Sequence, residues 1–232
     1  MEILEHFGDE VDYGELLRKL KITDLADEEE FKKLFEIARN IARPKAVYLE
    51  GFVESRDKDG VVINGVRFES MTLSKNLEKV GRCFPYVATC GTELDSIKLS
   101  EDLLKEYWWD TIKAAYLNIA IKNLMGYIKN RFLLGKTATM VPGGSEGGLW
   151  PIQQQKQLFS LFGDVEKLIG VKLTESCLMI PNKSVSGILF PAEIDYNGCK
   201  VCRRKNCPGR MAEFDEKMWK QLGIETISKL QK

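Results

Sequence analysis

The longest periodic stretch of the chain sets the first constraint on its fold. Leu104, Tyr107, Trp108, Ile112, Ala115, Tyr116, Ile119 and Ala120, continued by Leu124, Tyr127 and Ile128, form one apolar stripe at helical spacing. Ser100, with Glu101 and Asp102 behind it, opens this helix, while Lys129 and Arg131 lie in its last turns, the charge order that the helix dipole favours. Unbroken to Leu133 the helix would run about 50 Å at about 1.5 Å per residue, and a bend is expected at Gly126. Helical spacing alone accounts for the aromatic residues on the stripe, which read as helix core.

Upstream, Leu16, Leu17 and Leu20 predict a first helix, and Phe31, Leu34, Phe35, Ala38, Ile41 and Ala42 a second. Asp27 is the expected N-cap of the second, Glu30 completes a capping box, and Arg43-Pro44 ends the helix. Ala46 to Val53 reads as a strand. The Asp57 to Gly60 turn leads into Val61-Val62-Ile63, and Asn64-Gly65 between Ile63 and Val66 predicts a type I′ hairpin, hence a small antiparallel meander. Phe84 to Cys90 is a further strand.

Beyond the long helix, Thr137 to Val141 reads as a short strand and Pro151 as the first turn of a helix through Ile152, Leu158, Phe159 and Phe162. Lys172 to Ile180 and Val185 to Phe190 read as two strands joined by a hairpin at Pro181-Asn182-Lys183-Ser184, and a last helix lies near Phe214 to Leu222. Helices and strands come in blocks and do not alternate strictly. That order predicts an α+β fold with a largely antiparallel twisted sheet and flanking helices.

A length of 232 residues suits one large domain, or one domain with an appendage, and the 44% hydrophobic content supplies a core. The expected division is an α+β domain over residues 1–198 and a cysteine-containing tail with a terminal helix over residues 199–232. Thirty-four basic residues balance thirty-four acidic ones, so no global field draws the chain to nucleic acid or to an anionic membrane. The one histidine, His6, removes two-histidine metal sites and sets aside Ser-His-Asp and Cys-His pairs. The acidic start lacks the apolar segment of a secretory signal, and no apolar run approaches the roughly 18 to 20 residues of a membrane helix. A cytoplasmic protein is expected, whose six cysteines serve as thiols or metal ligands in preference to disulfides.

Two motifs carry chemistry. The loop Pro142 to Gly148 has four glycines in seven positions, which permits close backbone approach to a ligand, although a structural turn explains them about as well. The tail holds Cys199-x-x-Cys202-x-x-x-x-Cys207, then Pro208 and Arg210. Three thiolates at these intervals can close on one metal, and Lys200, Arg203, Arg204, Lys205 and Arg210 favour the thiolate forms. The spacing leaves three readings open: an iron–sulfur cluster completed by Cys177, Cys83, Cys90 or a small molecule; a three-cysteine zinc site with another donor; or free thiols. Iron–sulfur is placed ahead of zinc. The same basic knuckle suits nucleic acid, but no stacking aromatic lies between Cys199 and Arg210, so nucleic acid is not the expected partner.

The run from Pro142 to Leu189 resembles the activation domain of cobalamin-dependent methionine synthase and the freestanding proteins related to it. The matching residues are Pro142-Gly143, Trp150-Pro151, Gly170, Leu173-Thr174-Glu175-Ser176, Pro181 and Ser184-Val185-Ser186-Gly187. Upstream, Asn64-Gly65, Phe68-x-Ser70, Ala88-Thr89-Cys90-Gly91 and the long helix occur in the family's order, so the resemblance covers roughly Tyr13 to Phe190.

The resemblance implies a role beside a corrinoid protein or cobalamin-dependent methyltransferase. There the activation domain supports reductive reactivation of the cobalt in methyl transfer and methionine synthesis, with cobalamin carried by the partner. It also implies that cofactor-binding residues lie among Pro142, Gly143, Gly144, Glu146, Glu175, Ser184 and Ser186. The family's methyl-donor site has an arginine four residues before the loop glycine and a tyrosine just after it, where this chain has Thr139 and Gly144. S-adenosylmethionine is therefore expected to bind weakly or not at all. The cysteine tail could relay the reducing electron; the alternative is a non-catalytic adaptor whose metal knuckle only folds the tail.

Overall fold

One strand organises the sheet of this computed structural model, which describes residues 1–5, 7–99, 102–144, 149–193, 195–207 and 209–224. Strand β6 (Arg82–Thr89) buries every side chain after its first residue. On one flank it pairs with β2 (Lys45–Tyr48) and, further along, with β3 (Gly51–Arg56); on the other it pairs with β10 (Ser184–Pro191). β1 (Glu2–Leu4) extends the sheet beyond β2, and β7 (Thr137–Met140) extends it beyond β10. β4 (Val61–Ile63) and β5 (Val66–Phe68) continue from β3 as the expected meander. Asn64 and Gly65 have φ of 47° and 76°, the left-handed pair that a type I′ turn requires. All pairings among the described residues are antiparallel, as the α+β reading expected.

The two faces of β6 follow from its period of two. Phe84, Tyr86 and Ala88, with Ala46 and Tyr48, pack on Ala120, Leu124 and Ile128 of α4 (Leu103–Arg131). Val47 and Val87 face the other way, towards Phe159 of α5 (Gln155–Ser160) and towards Val165 and Ile169 of α6 (Val165–Ile169). The first turns of α4 leave the sheet and are covered by α1 (Tyr13–Leu20) and α2 (Leu25–Ile41), where the rings of Phe31 and Trp108 meet edge to face at 5.8 Å. A fourth cluster joins α3 (Met71–Asn76), β4 and β5 to the end of the chain. Its members include Phe68, Leu73, Trp150 and Phe190, together with Val201 of the 3₁₀ turn Gly198–Val201 and Met218 and Trp219 of α7 (Glu216–Gln221).

Several expectations are corrected. The N-cap of α2 is Asp24, whose carboxylate accepts from the Ala26 and Asp27 N–H groups, so Asp27 sits inside the first turn. Asp102 caps α4, while Ser100 and Glu101 lie outside the described residues. α4 runs as one helix from Leu103 to Arg131, through Gly126. Ala46 to Val53 is two strands, separated at Leu49 and Glu50.

The largest change concerns Lys172 to Ile180. It is not one strand but two short ones, β8 (Lys172–Leu173) and β9 (Met179–Ile180), paired with each other. Between them the Thr174 hydroxyl accepts from the Leu178 N–H at 3.0 Å, and Cys177 takes a left-handed φ of 64°, so the chain reverses. β10 therefore pairs with β6 and β7, and Pro181 to Ser184 is a connection into the main sheet, not a hairpin turn. The helix expected near Phe214 to Leu222 is α7, Glu216–Gln221. Among the described residues no helix is long and apolar enough to cross a membrane.

Candidate functional site

The family-like residues meet around a cavity of about 430 Å³, bounded by Val141-Pro142, the start of the helical segment after Pro151, the β8–β9 turn and the first half of β10. Its walls are mostly apolar, including Ile152, Leu178, Met179 and Ile180, and its polar lining comes from Gln155, Thr174, Cys177, Asn182 and Ser186. No acid or base lines it among the described residues. Ile180 and Leu178 stand exposed at the rim, at 51% and 67%.

Sequence places Gln155 and Ser186 on the floor for plain reasons. In β10, alternate residues Ser186, Ile188 and Phe190 turn to the face opposite Leu189 and α4, so Ser186 is 2% exposed beneath α5. Gln155 opens α5, directly after the 3₁₀ turn Ile152–Gln154, and is likewise 2% exposed. Its Nε2 donates to Ser186 Oγ at 3.0 Å, while its Oε1 is buried with no hydrogen-bond partner.

The loop forms the rim and is held from below. The Gly143 N–H donates to the Trp150 carbonyl at 2.8 Å, and Gly143 has φ of 71° with Ile152 Cδ1 2.9 Å from where a Cβ would stand. At Gly144 an added Cβ would fall 2.0 Å from Val141 Cγ2, so the position that carries the family's tyrosine has no room for a side chain here. Thr139 is also committed elsewhere: its side chain bonds the hydroxyl of Tyr86, which faces α4 and whose ionisation burial strongly disfavours.

The other expected residues divide. Pro142 and Ser186 line the cavity. Glu175 is exposed in the β8–β9 turn, not in an alternating strand as read from the sequence, and its neighbours Thr174 and Cys177 line the cavity instead. Ser184 Oγ lies 2.8 Å from the Pro181 carbonyl oxygen and 2.9 Å from Thr89 Oγ1, closing the entry to β10. Glu146 lies outside the described residues. Gln155 was missed, because a run of three glutamines on a helix reads as solvated surface.

A larger cleft of about 660 Å³ opens beside Tyr13, Phe35 and Tyr116, and several of its charged residues already pair. Glu10 meets Arg39 at 3.4 Å, and Asp9 meets Lys122 at 2.9 Å.

In the tail, Cys199, Cys202 and Cys207 are half-buried, and among the described residues no group of three His, Cys, Asp or Glu side chains stands together as a metal would require. Burial pushes the thiols of Cys83 and Cys90, two of the proposed extra ligands, up to about 12. Arg210 occupies the centre of the loop. Its guanidinium donates to the carbonyls of Cys199 at 3.3 Å, Cys202 at 3.2 Å and Ala212 at 3.1 Å and to that of Arg204, while its backbone N–H donates to the Cys207 carbonyl at 3.2 Å. Arg203 lies over the Trp219 ring at 4.2 Å, fastening the loop to α7.

Residues 149–207 match the family model described as the vitamin B12 dependent methionine synthase activation domain, a span that holds Gln155, the β8–β9 turn, Ser186 and all three tail cysteines. No curated protein matches the sequence. Among solved structures, the crystal structure of the MetH reactivation domain bound to AdoHcy matches with a TM-score of 0.54 at 16% identity, over 91% of this chain and 80% of that one. In its fold and in its matched segment, the chain is thus an activation-domain-like protein.

Proposed function

We propose that the chain associates with a corrinoid protein, or with a cobalamin-dependent methyltransferase that carries one, and supports reductive reactivation of its cobalt in methyl transfer. The observation that carries this reading is that the segment matching the activation-domain family also builds most of the cavity. Its mostly apolar walls suit binding and orientation. Cobalt in the inactive cob(II) state needs an electron and then a methyl group.

The solved relative holds AdoHcy. Here Thr139 bonds Tyr86 and Gly144 is closed over by Val141, so neither replaces the family's arginine or tyrosine. S-adenosylmethionine should bind the isolated chain no tighter than about 10 μM, roughly 7 kcal/mol; calorimetry showing tighter binding would mean the donor site is built from other residues.

A reactivator must distinguish the states of its target, because equal affinity for both shifts no population. A tenfold preference for the cob(II) form corresponds to about 1.4 kcal/mol. The test is an anaerobic titration of a corrinoid protein held in the cob(II) and methylated states, with recovery of methyl transfer followed under a chemical reductant. Preferential binding to cob(II) and faster recovery support the reading. Equal affinities and an unchanged recovery rate would leave the adaptor reading.

A further inference from the structure

Gln154 and Gln155 are adjacent and buried, yet bonded to opposite degrees. Gln154 Oε1 accepts from the Glu69 N–H at 2.8 Å and from Trp150 Nε1 at 3.3 Å, and its Nε2 donates to the Glu69 carbonyl. Gln155 has one bond, from Nε2 to Ser186 Oγ, and its Oε1 has none. A buried amide oxygen without a donor is disfavoured, because it has lost its water and gained nothing in return. Ser186 Oγ already accepts from Gln155, and among the described residues its proton meets no acceptor. The cavity floor therefore offers one free acceptor, Oε1, beside one free donor, the Ser186 hydroxyl.

The complement of that pair is a group with a donor and an acceptor on neighbouring atoms. A carboxylate brings two acceptors and leaves Oε1 unpaired; an ammonium group brings only donors and leaves the Ser186 proton unpaired. A primary carboxamide satisfies both. We infer that the Gln155–Ser186 pair receives a carboxamide arm of the partner's corrinoid, the arm's N–H donating to Gln155 Oε1 and its carbonyl accepting from the Ser186 hydroxyl. The inference rests on the reactivation reading, which supplies the corrinoid. Corrin rings carry acetamide and propionamide arms around a methyl-studded edge, and the apolar walls at Val141, Ile152, Met179 and Ile180 suit that edge. At about 430 Å³ the cavity has room for an arm and part of the ring margin.

The test uses the full chain labelled with ¹⁵N and follows the side-chain amide signals of Gln154 and Gln155 during titration with dicyanocobinamide, whose arms are amides. The control is the corresponding heptacarboxylic acid. The Gln155 signal should move with cobinamide, that of Gln154 should stay in place, and the acid should move neither. Ser186→Ala and Gln155→Leu should each weaken cobinamide binding about tenfold, as expected for one buried hydrogen bond. If Gln155→Leu does not fold, the wild-type titration and Ser186→Ala still decide. A silent Gln155 signal, an equal response to the acid, or unchanged affinity in the variants overturns the inference. Reactivation of a corrinoid protein that is indifferent to Gln155→Leu and Ser186→Ala sinks the carboxamide contact and spares the reactivation reading. Cobinamide binding through Gln155 with no reactivation of any corrinoid protein does the reverse.

Discussion

The floor of the cavity and the cysteine loop of the tail handle their polar atoms in opposite ways. Around Arg210 the bonding is closed, since one guanidinium satisfies carbonyls from Cys199, Cys202, Arg204 and Ala212. At Gln155 it is open, with a buried oxygen that no described protein group reaches. A closed network returns its stabilisation to the fold, whereas an open one holds bonding capacity for something else. The difference reverses the order of interest that spacing alone suggests, because the three cysteines look like the site and the glutamine looks like surface.

The strongest way to break this contrast is Arg210→Ala. Losing several charge-assisted bonds from a half-buried guanidinium should cost about 2–4 kcal/mol, read as a lower urea midpoint and early proteolysis of the tail. Arg210→Lys should not rescue it, since a single ammonium cannot span carbonyls that a planar fork joins. A variant as stable as the parent would show that something else closes the loop. Next in size is the glutamine pair. Gln154→Leu strands the Glu69 N–H and carbonyl and should cost about 2 kcal/mol, while Gln155→Leu removes an unpaired acceptor and should be near neutral in unfolding experiments. Equal losses would mean that Gln155 is a structural residue like its neighbour.

Gly143→Val tests the rim. With φ of 71° and Ile152 in the way, it should cost about 1–2 kcal/mol and narrow the cavity mouth. The smallest expected effect is that of a chelator. Dialysis against EDTA should leave the melting temperature unchanged if Arg210 closes the tail; a fall of several degrees, with zinc or iron in the dialysate, would return Cys199, Cys202 and Cys207 to the metal role their spacing suggests.

Much of the fold was legible because it is written locally. The α4 stripe, the Asn64-Gly65 turn and the block order of elements each need only a few neighbouring residues to read. The β8–β9 reversal was not legible, since it depends on Thr174 capping its own turn and on Cys177 adopting a positive φ, which β-rich neighbours conceal. Of the site, Pro142 and Ser186 were found by motif, but what makes Ser186 informative is its bond to a residue 31 positions away. In the tail, spacing counts the thiols and cannot show that the carbonyls behind them turn to one arginine.

The position of β6 also bears on how the chain is made. Its flank towards β2 can form early, but the other flank waits for β10, where Ser184 pairs with Thr89 across roughly a hundred intervening residues. At about 5–20 residues per second, a ribosome needs on the order of 5–20 s to supply that partner. For that interval the emerging chain carries an unpaired edge on the most buried strand of the sheet, and α4, once synthesised, can cover a face but not an edge. Ribosome stalling before residue 184 should therefore yield products that associate edge to edge, making the interval before β10 emerges the point at which this protein most needs a chaperone.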